Sequence, residues 1–111
     1  MLKELTKEYI KAFNNKDLEK ISKLLTDNFA LEDPVIKRIE GKKISLEVIK
    51  KIFDSCNNLN FYAKNIYQDN QTTIIEFKLK LDDTVLRGTD IIEWHDNKIK
   101  ELRAYLDIPK G

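Results

Sequence analysis

Cysteine, proline and glycine are scarce in this chain, and each scarcity closes off a class of structure. The single cysteine, Cys56, permits no intramolecular disulfide framework and no multi-cysteine metal site. Beside Ile52 and Phe53 it reads as a small buried hydrophobe in a reducing compartment. Two prolines and three glycines leave no linker, low-complexity tract or internal repeat. The one histidine, His95, precedes the turn-forming pair Asp96-Asn97 and has no ligand partners at metal spacing, so it is expected at the surface. No apolar run approaches membrane-spanning length, and Met1-Leu2-Lys3-Glu4-Leu5 is too charged for a secretory signal. A cytoplasmic protein with no membrane partner is expected. An excess of one charge is also missing. Twenty basic and nineteen acidic residues give a formal net charge of +1. The lysines are interspersed with acids, which leaves no basic stripe for nucleic acid.

What remains is an ordinary globular balance of 41% hydrophobic and 35% charged residues in 111 positions. One domain spanning residues 1–111 is expected. Leu2, Leu5, Tyr9, Ile10 and Phe13 recur at helical spacing and predict a first helix to about Asn14. Asp17 is a good N-cap for a second helix, with Leu18, Ile21, Leu24 and Leu25 inside. Phe29-Ala30-Leu31-Glu32-Asp33 alternates, and Pro34 holds Asp33 in extended backbone. After an irregular stretch closed by Gly41, Ser45 is expected to cap a third helix through Val48, Ile49, Ile52 and Phe53. Phe61 to Tyr67, Thr72 to Leu81, Thr84 to Trp94 and Lys98 to Leu106 then read as strands of an antiparallel meander with one core face. Helices first and sheet afterwards imply an α+β fold, the N-terminal helices packed on a curved antiparallel sheet.

Three polar groups fall in apolar phase. Successive strand residues point to opposite faces, so Asp90 shares its side with Leu86, Gly88, Ile92 and Trp94. A buried carboxylate without a partner is strongly disfavoured; it pairs, takes up a proton, or does chemistry. Tyr9 lies on the buried stripe of the first helix, and Asp33 follows the inward phase of Phe29 and Leu31. Each residue also has a plainer reading. Asp90 could be neutralised by a nearby Arg or Lys, or lie at a wet sheet end. Tyr9 could be a core tyrosine with a satisfied hydroxyl, and Asp33 a turn residue before Pro34. If helices and sheet enclose a pocket, Tyr9, Asp33 and Asp90 converge in it. Phe13, Phe29, Phe77, Leu86, Ile92, Trp94, Leu102 and Leu106 would then form its apolar lining.

The segments Tyr9 to Leu18, Ala30 to Val35, Thr89 to Ile92 and Asn97 to Tyr105 resemble the ketosteroid isomerase family, within the wider nuclear transport factor 2-like (SnoaL-like) fold. The resemblance implies a cone-shaped sheet around an internal pocket, and no cofactor. It also implies roles: Asp33 as the general base, Tyr9 and a protonated Asp90 as the oxyanion hole. Two departures stand out. More residues separate Gly41 from Ile49 than is usual in the family, so the loop beside Asp33 should differ. Lys37, Arg38 and Glu40 should put charge near the pocket mouth, where a steroid would prefer apolar contact. The chain is therefore expected to take a small apolar or carbonyl-bearing molecule. It would act as a cofactor-independent isomerase or cyclase, as a non-catalytic binding protein, or as a partner-binding dimer. Ile74, Ile91, Arg103 and Tyr105 share the outer sheet face, and that partly apolar face suggests a homodimer.

Overall fold

The structure, a computed structural model, describes residues 1–107. It is α+β, with elements in the order α1 (Leu2–Asn14), α2 (Leu18–Leu24), β1 (Leu25–Asp33), β2 (Lys37–Glu40), α3 (Lys42–Asp54), β3 (Leu59–Asp69), β4 (Thr72–Leu81), β5 (Thr84–His95) and β6 (Lys98–Asp107). One six-stranded sheet runs β2-β1-β6-β5-β4-β3, curled but not closed. Every pairing is antiparallel except β1 with β6. Alternation within β1 and β6 makes both strands visible, but it carries no information on which partner each will take, so the parallel pair is not legible locally.

The helices cover one face of the sheet. α1 turns Leu2, Thr6, Tyr9, Ala12 and Phe13 inward and packs on β3 and β4, while α3 packs on β1 and β2. Two clamps fix the end of α1. Phe61 N donates to Asn14 Oδ1 at 2.6 Å while Asn14 Nδ2 donates to Phe61 O, and Lys16 Nζ donates to Cys56 O at 2.6 Å. Asp17 caps α2 as expected, accepting from Lys20 N at 3.1 Å.

Three boundaries differ from the sequence reading. Leu25 is buried as expected but opens β1 rather than closing α2. α3 begins at Lys42, directly after Gly41, so Ser45 is buried inside the helix rather than capping it, and no extra loop separates the two. Gly41 takes the N-cap place with φ +113°, a conformation costly for any L side chain, and donates its N–H to Phe29 O at 2.7 Å. The irregular stretch before it is strand β2, paired with β1 from Ala30↔Glu40 to Asp33↔Lys37. The three hairpin turns after β3, β4 and β5 fall at the Asn/Asp positions anticipated; Asn70, Asp82, Asp96 and Asn97 adopt positive φ, which these side chains tolerate.

One end of the sheet is solid core. Trp94 Nε1 donates to Thr73 Oγ1 at 2.9 Å, and the Thr73 and Thr6 hydroxyls share a hydrogen bond of 2.8 Å. This ties β5 to β4 to α1 and gives each of these buried hydroxyl and indole groups a partner.

Candidate active site

Three elements bring Tyr9, Asp33 and Asp90 to the lining of one apolar cavity. α1 delivers Tyr9, 4% exposed, because position 9 falls about one turn after Thr6 and about two after Leu2 on the buried stripe. Its ring is set by neighbours: Phe13 lies 6.0 Å away by centroid, and Phe61 meets it edge-on at 6.3 Å. β5 delivers Asp90, 5% exposed and in register between Ile75 of β4 and Ala104 of β6. β1 ends at Asp33, which is half-buried. Its Oδ1 accepts from Val35 N at 2.8 Å and Ile36 N at 2.7 Å in an Asx turn. The turn reading of Asp33 and the pocket reading are thus both true, since one oxygen anchors the β1–β2 hairpin while the residue still borders the cavity.

The electrostatics follow from burial. Removal from water pushes the Asp90 carboxyl up to about 8, with a smaller contribution from the like charge of Asp33. Burial raises the Tyr9 phenol as well, and Asp90 adds to it. Among the described residues no Arg or Lys neutralises Asp90. At neutral pH the site therefore holds two O–H donors, Tyr9 and Asp90, beside the Asp33 carboxyl. Among the described residues neither donor is hydrogen-bonded to another side chain, and the one sealed, unpartnered side-chain atom is Ser45 Oγ on α3.

Of the expected lining residues, Phe13, Phe29, Phe77, Leu102 and Leu106 border the cavity. Leu86, Ile92 and Trp94 do not. Ile92 and Trp94, 0% and 1% exposed, continue the Asp90 face of β5 into the solid core beside Thr73, where no space is left. Leu86 lies on the other side of Gly88 towards the β4–β5 hairpin, paired with Leu79 and half-buried. Phe61, Leu79, Ile49, Ile52 and Ala104 line the cavity and were not singled out. The signal was available for two of them, since Leu79 shares its face with Phe77 and Ile49 lies on the stripe of α3. Two of the three charges expected at the cavity mouth, Arg38 and Glu40, are engaged elsewhere, while Lys37 is the cross-strand partner of Asp33. Arg38 and Glu40 belong to an outer-face network in which Arg38 reaches Glu32 (3.4 Å), Glu40 (3.2 Å) and Glu101 (2.8 Å), and Lys37 stands exposed at the hairpin end. The cavity is narrow, about 80 Å³. Among the described residues no group of three or more His, Cys, Asp or Glu is placed to hold a metal ion, and no helix is long and apolar enough to cross a membrane.

A curled, mostly antiparallel sheet carrying helices on one face over an apolar cavity defines an α+β fold. The chain belongs to the SnoaL-like domain family, whose model matches residues 6–102. Among solved structures it is similar to a candidate ketosteroid isomerase from Kribbella flavida, with a TM-score of 0.85, 18% identity and coverage of 99% of this chain and 80% of that one. It is also similar to a candidate SnoaL-like polyketide cyclase from Jannaschia (TM-score 0.86, 11% identity, 96% and 85% covered). A third is an LEH-like epoxide hydrolase from M. tuberculosis (TM-score 0.78, 18% identity, 94% and 80% covered). At such identities these likenesses show the fold alone. No curated protein matches the chain significantly.

Proposed function

We propose that the chain is a small-molecule pocket protein that works as a cofactor-independent isomerase, moving a proton next to a carbonyl. One observation carries this reading: Tyr9, Asp33 and Asp90, from three separate elements, border a single apolar cavity. Asp33 takes a proton from the carbon beside the carbonyl. The C–H electron pair moves into a carbon–carbon double bond, and charge develops on the carbonyl oxygen. Tyr9 and Asp90 donate hydrogen bonds to that oxygen from fixed positions, so little reorganisation is needed as charge appears. Asp33 then returns the proton to a different carbon, and no oxidant or reductant is consumed. Holding Oδ1 in the Asx turn leaves Oδ2 of Asp33 as the atom for proton transfer. In deuterium oxide the protein should catalyse exchange of protons beside a carbonyl, followed by NMR. Asp33→Asn should abolish exchange with the circular dichroism spectrum unchanged; exchange at the wild-type rate would refute the role of Asp33.

A second reading, a non-catalytic member of the fold, is favoured by the narrowness of the cavity, since ligand sites commonly enclose about 300–1,000 Å³. It expects ligand binding without exchange, or no binding at all. In either case we propose that two copies pair through the outer sheet face. Lys78 and Arg87 lie in one cross-strand row of that face, which ends at Asp107, and Glu93 and Glu101 in another, with Ile74, Ile91 and Arg103 between them. Stacking two copies face to face with opposed strand directions sets the basic row of each over the acidic row of the other.

A further inference from the structure

We propose that the molecule taken into this cavity is an uncharged, short-chain carbonyl compound, and that carboxylates, phosphates and amines are rejected; the proposal rests on the proton-transfer reading of the same site. The first argument is the chemistry of the wall. Its polar groups are Tyr9, Asp33 and Asp90, with no Lys, Arg, His, Asn or Gln among the lining residues. An anionic ligand would be buried without a counter-charge and beside an aspartate, which is the costliest arrangement available. The ion-paired arginines of β2 and β6 cannot help. Arg38 is held by Glu32, Glu40 and Glu101, and Arg103 by Glu93 and Glu101, all on the outer face of the sheet.

An ammonium fails for the opposite reason. It must shed its water inside an apolar wall, and it offers no lone pair to the Tyr9 and Asp90 O–H groups in return. A neutral carbonyl satisfies both sides, because its oxygen has two lone pairs for the two donors and its neighbouring carbon faces Asp33. The second argument is size. About 80 Å³ is far below the ~300–1,000 Å³ that ligand sites commonly enclose, so only a small molecule is accommodated. Phe61 is wedged between Phe13 and Phe77 with both centroid distances at 5.0 Å, so the aromatic wall is close-packed and does not readily widen. A fused-ring substrate is excluded by the same wall.

The test is a titration of the full chain at pH 7 with three compounds of nearly equal size, butanone, propanoate and propylammonium, and one large ketone, 2-decalone. Binding is read from backbone amide shifts around Tyr9 and Asp90. Butanone should bind, with propanoate and propylammonium weaker on the order of 100-fold and 2-decalone without effect. Equal or tighter binding of propanoate, propylammonium or 2-decalone, or no binding of butanone, would overturn the proposal. Deuterium exchange into butanone is followed in parallel. Binding of butanone alone without exchange would uphold the ligand class and refute the proton-transfer reading, so the two fail separately.

Discussion

Asp90 keeps its proton because water cannot reach it and Asp33 is too close, and this has a consequence for stability. Its carboxyl is raised to about 8, so the folded chain holds a proton that the unfolded chain releases near the ordinary aspartate range. Asp90 therefore leaves stability intact at low pH and removes it as pH climbs from about 4 to about 8, at about 1.4 kcal/mol per unit. Glu93 and Glu101 act in the opposite direction. Glu93 is held down first by Thr72 and then by Arg103, and Glu101 first by Arg38 and then by Arg103, so their contribution is lost as pH falls through the carboxylate range. Stability in urea should peak near about pH 4–5 and decline towards pH 8. Asp90→Asn should flatten that decline and raise stability at pH 8 by a few kcal/mol; an unchanged pH profile would show that Asp90 is not buried as a free acid. Tyr9→Phe removes one donor and should lower exchange by ~10²–10³ while altering the unfolding midpoint little. A fall in stability as large as the fall in rate would make Tyr9 a structural residue instead.

The elements place these side chains through contacts that differ in how far they can be read locally. Phase along α1 and β5 was sufficient to send Tyr9 and Asp90 inward, because helix and strand periods are local properties. The depth at which a side chain sits was not. Ile92, Trp94 and Asp90 share one face of β5, yet only Asp90 meets open space, since Thr6 and Thr73 close the core behind Trp94. The same limit hid β2 and the parallel β1–β6 pairing, which depend on partners distant in sequence. Gly88 shows what the site demands of its own strand. A Cβ there would fall inside contact distance of the Tyr105 carbonyl oxygen and 3.0 Å from Phe77 Cζ, so β5 could not approach β6 as closely. Gly88→Ala should cost about 1–3 kcal/mol in urea unfolding and shift amide resonances on β6. A neutral substitution would mean that the strands separate freely. Asn14→Ala should cost a similar 1–3 kcal/mol, because it leaves the Phe61 N–H and carbonyl without their partner.

At the scale of the whole molecule, the sheet divides the chemistry in two: an inner face that is apolar around three polar groups, and an outer face that is charged and partly apolar. The inner face is proposed to do chemistry and the outer face to pair two copies. Ile91→Glu, on the outer face, should convert a dimer in sedimentation equilibrium to a monomer without changing exchange activity. A wild-type chain that is monomeric at every concentration would refute the pairing. The account of the inner face stands on a proton held by one buried acid between two strands. A carboxyl-carbon NMR titration of Asp90 tests this most directly. The expected midpoint is about 8, and one in the ordinary range near about 4 would contradict the account.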